Sequence, residues 1–290
     1  MVSAAVMKLI LKAQRNELSE YQVYTNLAKR TRNAKNKKLL EHLAKDEMLH
    51  HDFWKKFSKQ EVEPSHLKVF WYSFLIRCFG LLFGIKLMEK KEDLTEKECN
   101  TIYDAIPAAK KIEENEAGHE ARLIRLLSDK AKLYAGSIVL GLNDALVELT
   151  GALAGLTLAF QKTTLEAIAG LITGIAAAFS MAASEYLSIK AEGSKKPPFT
   201  AAWYTGIAYL ITVFFLVFPY FVLSNPFFAL LWTITNALIV ILVFTFYISI
   251  VQEVSFAHKF FEMAGLSLGV ALITFGIGFF IRIFFNIDLL

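Results

Sequence analysis

The 290-residue sequence contains only two cysteines, Cys78 and Cys99. They lack the short spacing of a metal-binding Cys-x-x-Cys pair, and two cysteines cannot build the disulfide framework of a small secreted protein. The scarcity of cysteine therefore excludes a disulfide-rich fold and fits a protein of a reducing compartment.

The second half of the chain lacks charge. Residues 1–132 contain 25 Lys and Arg, 19 Asp and Glu and five of the six His, whereas residues 133–290 contain only 6 Lys and Arg and 8 Asp and Glu. The net charge of +4 comes from scattered lysines, which gives no reason to expect a nucleic-acid partner. This imbalance predicts two domains, a soluble domain over 1–132 and a membrane domain over 133–290.

The soluble half predicts an antiparallel bundle of four main helices with one additional apolar helix. The N-terminal apolar run is short and soon heavily charged, so it indicates the start of a helix rather than a signal peptide. The additional apolar helix, 66–88, contains Arg77 and Lys86, which favours a core or membrane-surface helix over a short membrane span. The predicted helices cover 4–31, 36–59, 66–88, a charged stretch to about residue 105, and a stretch from Pro107 to about residue 130.

One pattern occurs twice in this bundle. In each copy, the first helix has a Glu and a Tyr seven residues apart. The next helix has a Glu and a His three residues apart, so these two side chains lie on one helix face. The two copies are Glu17, Tyr24, Glu47, His50 and Glu96, Tyr103, Glu116, His119. Four-helix di-iron carboxylate proteins take one Glu from each of two helices and a Glu-x-x-His from each of the other two. The repeat therefore predicts a two-metal site.

On these residues the soluble half resembles the ferritin-like, rubrerythrin-type family. The resemblance implies a di-iron site with these ligands: Glu17, Glu47, His50, Glu116 and His119. For the ligand of the third helix two candidates stay open, because Glu96 fits the internal repeat and Glu92 follows a Met-Glu-Lys run like that of membrane-fused relatives. The rubredoxin-like module of typical rubrerythrins is absent, since the sequence has no Cys-x-x-Cys pair. We expect the other histidines of this half to lie on the surface: His42, His51 and His66.

Five apolar segments are each long enough to cross the ~30 Å hydrocarbon core of a bilayer. The lysines of the connecting loops lie mostly on one side, after the second and fourth segments. By the positive-inside rule, these loops and the N-terminal domain face the cytoplasm. We therefore expect the protein in the cell membrane, whose lipid bilayer the chain crosses several times. The segments are 133–160, 164–190, 201–223, 226–250 and 265–285.

The first apolar segment contains two acids, Asp144 and Glu148, four residues apart and so on one helix face. A charged side chain near the bilayer centre costs at least ~2.5–3.5 kcal/mol, which makes an acid there a candidate functional group. The second segment places Met181 and Glu185 four residues apart. A thioether and a carboxylate suit a borderline metal ion such as Fe(II) better than Ca²⁺ or Mg²⁺. Together the four residues predict a cation path between two helices.

The membrane half is similar to the vacuolar iron transporter family through GLNDALVELTGALAG and AGLITGIAAAFSMAASEYLS. The resemblance implies that Asp144 and Met181 line the translocation path. Two features depart from the family pattern, because Ala145 replaces the usual Gly and only about ten residues, AEGSKKPPFT, join the second and third segments. The combination of both halves is similar to membrane-bound ferritins over essentially the full chain.

The sequence thus predicts an all-α protein, with a ferritin-like four-helix bundle followed by a five-span membrane domain. The expected function is export of Fe(II) in exchange for protons, with no assigned catalytic residue. Manganese uses the same ligands, and a membrane-anchored ferroxidase or peroxide-reducing enzyme is the alternative. A homodimer is expected, because five spans are few to enclose a polar path. Three glycine pairs allow close helix contacts, either within the chain or at a dimer seam: Gly151 with Gly155, Gly170 with Gly174, and Gly265 with Gly269.

Overall fold

The computed structural model describes residues 3–90, 96–193 and 196–285, with side chains in these ranges except at 89–90, 96–97, 111–133 and 135. This part of the chain forms ten α-helices and no strand, which confirms the all-α prediction. Its internal contacts divide the chain into two units, Met1–Asp129 and Lys130–Leu290. Each unit has its own apolar core.

The first unit is built on a pair of long helices, α1 and α2. Ser3 caps α1 by accepting a hydrogen bond from the backbone N–H of Val6, and Asn33 caps α2 in the same way. The first five helices are α1 (Ala4–Arg30), α2 (Ala34–Ser58), α3 (His66–Phe79), α4 (Leu81–Lys90) and α5 (Glu96–Ala105). The pairing of α1 with α2 positions the metal-binding candidates described below.

The prediction of a single apolar helix over 66–88 was wrong. Gly80 separates α3 from α4 and has a φ of +90°, a backbone conformation that an L side chain rarely adopts. The two resulting helices differ in burial. Nearly all described side chains of α4 are buried, whereas α3 buries only Val69 and Ile76 and exposes an apolar face that includes Phe70 and Trp71.

The prediction that a bundle helix ends near residue 130 was also wrong. After a 3₁₀ turn at Pro107–Ala109, one helix, α6 (Lys110–Phe160), continues into the first apolar segment. Residues 119–140, around the predicted break, contain no proline, and their only glycine is Gly136. The change from charged to apolar composition therefore marks a change of environment within a continuous helix.

The second unit contains five helices that are long and apolar enough to span a membrane, which confirms the predicted span count. The last begins earlier than expected, at Phe256 rather than 265. The spans are the Gly136–Phe160 part of α6, α7 (Thr163–Ala191), α8 (Pro198–Val222), α9 (Pro226–Val251) and α10 (Phe256–Phe285). Their core includes Leu146 and Leu153 of α6, together with Tyr209 and Leu216 of α8. Many other large apolar side chains are exposed, as in helices that lie in lipid.

Two of the three glycine pairs are used for packing within the chain. A Cβ atom at Gly155 would lie 2.9 Å from the carbonyl oxygen of Thr274 on α10, and one at Gly174 would lie 2.7 Å from Val213 on α8. Gly151 and Gly170 are similarly enclosed. In contrast, the third pair has open space: none of the described residues places an atom within 4 Å of a Cβ at Gly265 or Gly269, apart from the helix itself.

Candidate metal centre and transport path

Three side chains predicted as metal ligands converge between α1 and α2. His50 Nδ1 lies 3.6 Å from Glu17 Oε2 and 3.7 Å from Glu47 Oε2, and one ligand atom from each residue lies within 4.8 Å of the others. All three side chains are buried. The i, i+3 spacing places Glu47 and His50 on one face of α2, and the packing of α1 brings Glu17 to that face.

The electrostatics of this Glu-Glu-His cluster favour a cation. Burial raises the pKa of the Glu47 carboxyl well above its ordinary value, and the charges of Glu17 and Glu20 add to the shift against the opposing effect of His50. Burial lowers the pKa of His50, but its interactions with Glu17 and Glu47 outweigh burial and raise the pKa to about 10. The cluster therefore binds positive charge strongly, whether it is a proton on the imidazole or a metal ion.

A second layer of side chains orients the cluster. Trp54 Nε1 donates a hydrogen bond to Glu17 Oε1 at 3.1 Å, so one oxygen of this carboxylate is held while the other faces His50. His51, the residue after His50, is also buried, and its Nε2 lies 3.3 Å from Gln14 Nε2. The expectation of a surface position was therefore wrong for His51, whereas His42 and His66 are exposed as predicted.

The second half of the predicted ligand set cannot be placed. Glu92 lies outside the described residues, and so do the side chains of Glu96, Glu116 and His119. The described cluster nevertheless offers three donor atoms that could hold one metal ion. Two carboxylates and one imidazole fit iron or manganese, because carboxylates balance the charge of these ions and imidazole binds borderline metals.

In the second unit the structure places Asp144 and Glu148 on α6 in different surroundings. Tyr209 Oη of α8 donates a hydrogen bond to Glu148 Oε2 at 2.8 Å. The half-buried side chain of Asp144 has no hydrogen bond to the described residues. An acid on a membrane span with no fixed partner is available to bind a mobile cation.

Glu185 on α7 is held by fixed partners. Ser137 Oγ of α6 donates a hydrogen bond to Glu185 Oε1 at 2.6 Å, and Lys196 Nζ lies 3.3 Å from the same oxygen. Met181, one turn earlier, packs against the apolar core of the unit. The three predicted path acids, Asp144, Glu148 and Glu185, do not converge as the Glu-Glu-His cluster does. Among the described residues of this unit, no three His, Cys, Asp or Glu side chains lie close enough to hold a metal ion together.

Three polar residues of the membrane unit were not singled out from the sequence. Tyr209 and Lys196 bind path acids, but nothing in the spacing of either residue pointed to its partner on another helix. Glu166 is a fully buried acid in the first turn of α7. Its position inside a membrane span was the signal that should have singled it out, as it did for Asp144.

Two protein-family models match the chain. The rubrerythrin model matches residues 8–74, which contain all three members of the Glu-Glu-His cluster, and the VIT family model matches residues 135–195, which contain all four predicted path residues. The chain joins a rubrerythrin-type segment to a VIT-family segment. No curated protein and no solved structure matches the chain.

The two matches and the five spans describe a multi-pass membrane protein with the features of a metal transporter. The rubrerythrin match and the buried Glu-Glu-His cluster indicate a site of the di-iron type in its soluble unit. The relation of both families to iron indicates a divalent metal as the substrate.

Proposed function

We propose that this protein exports Fe(II) from the cytoplasm across the cell membrane in exchange for protons. Asp144 and Glu148 bind the ion within the first membrane span, and Met181 adds a thioether ligand from the second. The observation that carries this proposal is the pair of acids on a VIT-family span, of which Asp144 has no hydrogen bond to the described residues. Carboxylates that lack a permanent counter-ion can bind a metal ion and a proton in turn.

The soluble unit captures or senses iron on the cytoplasmic side. Glu17, Glu47 and His50 hold a metal ion there, and we propose that Glu116, His119 and one of Glu92 and Glu96 complete a two-metal site. Iron bound at such a site supplies redox chemistry with oxygen or peroxide. The ligand residues bind and orient the metal, and Trp54 fixes the Glu17 carboxylate by its hydrogen bond.

The transporter is a homodimer in this proposal. Five spans enclose a polar path poorly, and the described acids of the membrane unit do not converge within one chain. Gly265 and Gly269 on α10 are the predicted glycine pair that packing among the described residues leaves open. The mass of the protein in detergent tests this assignment, and a transport-active monomer would contradict it.

Transport by inverted membrane vesicles tests the proposed function. Vesicles that contain the full-length protein should accumulate Fe(II) under anaerobic conditions, and a pH gradient that is acidic inside should accelerate uptake. Vesicles without the protein provide the baseline. Equal uptake by both vesicle types would refute the transporter. Repeating the assay with Mn(II) determines which metal is preferred, since both metals suit the same ligands.

A membrane-anchored ferroxidase or peroxide-reducing enzyme is the second candidate, and the buried Glu-Glu-His cluster favours it. This enzyme needs the soluble site but no acids within the spans. Oxygen or peroxide consumption in the presence of Fe(II), with no metal accumulation in vesicles, would support the enzyme and exclude the transporter.

A further inference from the structure

Glu166 is a buried acid that neither the metal centre nor the predicted path uses. Its side chain lies in the first turn of α7 and is 0% exposed. Glu166 Oε1 accepts a hydrogen bond from the backbone N–H of Lys162 at 3.1 Å. The other oxygen, Oε2, is buried and has no hydrogen-bond partner among the described residues. One half of this carboxyl group thus caps a helix, and the other half has no structural role.

The hydroxyl groups of Thr157 and Tyr220 donate their protons to acceptors other than Oε2. Thr157 Oγ1 donates to the carbonyl oxygen of Leu153 at 2.7 Å and lies 2.6 Å from Tyr220 Oη. Because a hydroxyl group has only one proton, Tyr220 is the donor in the second hydrogen bond. The electrostatic influence of Glu166 reaches Tyr220, so both groups belong to one buried polar cluster.

The charges around this cluster favour the protonated form of Glu166. Among the described residues, the titratable residues shown to interact with Glu166 are Lys162, through its backbone N–H, and Tyr220 on α8. An ionised carboxylate that is buried with one hydrogen bond is costly, whereas the neutral acid is not. Glu166 and Glu185 lie at opposite ends of α7, roughly 28 Å apart at 1.5 Å per residue. Of these two acids, only Glu185 lies within ion-pair distance of a lysine among the described residues.

We propose that Glu166 is a proton-binding site of the transport path, at the end of α7 opposite to Glu185. A proton from water on that side binds to Oε2, and its release towards the other side accompanies the passage of a metal ion in the reverse direction. This proposal rests on the proposed function and adds to it the residue that binds the exchanged proton. It concerns one proton on one oxygen atom and needs no redox partner.

The structural alternative is that Glu166 only caps α7, and two substitutions separate the roles. Glu166→Gln keeps the side-chain volume and an oxygen that accepts the Lys162 N–H, but it cannot bind an exchangeable proton. Glu166→Ala removes both functions. Glu192→Gln is the matched control, because Glu192 is an exposed acid at the other end of the same helix and accepts a hydrogen bond from Ser188.

The experiment uses full-length protein in liposomes that contain a pH-sensitive dye, with anaerobic Fe(II) as the metal. Wild type and Glu192→Gln should move protons out as Fe(II) enters. Glu166→Gln should still admit Fe(II) down its gradient, while proton movement falls to background and a pH gradient no longer drives accumulation. A wild-type ratio of protons to Fe(II) in Glu166→Gln would overturn the proposal and leave the capping role. Fe(II) entry without protons in wild type would overturn it too, but would leave metal transport intact. No Fe(II) entry in wild type would instead refute the proposed function.

Infrared difference spectroscopy gives a readout that does not depend on transport. Wild-type protein should show the C=O band of a protonated carboxylic acid that changes with pH, and Glu166→Gln should lose this band. An unchanged band would show that another acid holds the proton and would contradict the assignment. Equal melting temperatures of wild type and Glu166→Gln would show that the cap is intact in both.

Discussion

The two units of this protein place their acids in opposite ways. In the soluble unit, Glu17 and Glu47 come together with His50 within 4.8 Å. In the membrane unit Asp144 and Glu148 share one face of α6, but no third acid, His or Cys of the described residues joins them. Glu148 accepts a hydrogen bond from Tyr209, whereas Glu185 pairs with Lys196.

The difference shows what each arrangement is suited to bind. Two buried carboxylates repel each other unless a cation lies between them, so a converged cluster favours long-lived metal binding. Acids that do not form such a cluster attract a cation less strongly and can release it, which transport requires. The predictions below test whether the Glu-Glu-His cluster of the soluble unit and the transport path of the membrane unit act separately.

The largest effect is expected for Asp144→Asn. The amide keeps the size and polarity of the side chain but removes the charge, and it is easier to accommodate in a bilayer. Fe(II) uptake into inverted vesicles should fall to background, while the metal content of the purified protein stays at the wild-type level. Glu192→Gln, the exposed acid on α7, is the control and should transport normally. Normal uptake by Asp144→Asn would mean that the membrane unit is only an anchor.

Glu47→Gln should have the converse effect. Because this change removes one of the three ligands of the described cluster, metal affinity of the soluble unit should fall by at least about 100-fold, more than for loss of an outer-shell contact. Uptake into vesicles at saturating Fe(II) should persist. Metal analysis of the purified protein and the vesicle assay provide the two measurements. If transport is lost together with binding, the two sites do not act separately.

Trp54→Phe should lower the metal affinity of the Glu-Glu-His cluster, but less than Glu47→Gln does. The substitution keeps an aromatic ring but removes the N–H that holds Glu17 Oε1, and outer-shell changes of this kind typically cost 10–100-fold in metal affinity. We expect a loss of about 10-fold, measured by metal titration of the full-length protein. Phe53→Leu, an adjacent change on α2 that removes no hydrogen bond, serves as the control. Equal affinities of Trp54→Phe and wild type would show that Glu17 needs no orienting donor.

The smallest effect is expected for Tyr209→Phe. It removes the hydroxyl group that donates to Glu148, at a cost of about 1 kcal/mol in the free energy of unfolding. Fe(II) uptake should slow only a few-fold, because the carboxylate itself remains. Tyr204→Phe, at an exposed position on the same helix, should change neither quantity. Complete loss of uptake in Tyr209→Phe would show that Glu148 depends on this hydrogen bond and is not an independent site.

Much of the candidate metal centre was predictable from the sequence. The spacing of Glu47 and His50 places both residues on one helix face wherever the helix packs, and the repeat of the pattern indicated a partner helix with Glu17. The expectation failed for His51, which looked like a surface residue and is buried beside Gln14. Adjacent histidines point to different sides of a helix, so only the packing of α1 decides which side is covered.

The sequence alone determined the all-α fold, the five spans and the acids within them, because helix periodicity and hydropathy are local properties of the chain. Tertiary structure decided how those acids are partnered. Tyr209 and Lys196 come from distant parts of the sequence to Glu148 and Glu185, and packing between helices also enclosed Glu166 while leaving one of its oxygen atoms without a hydrogen bond. Spacing within a helix shows which residues share a face, but only the arrangement of helices determines what that face meets.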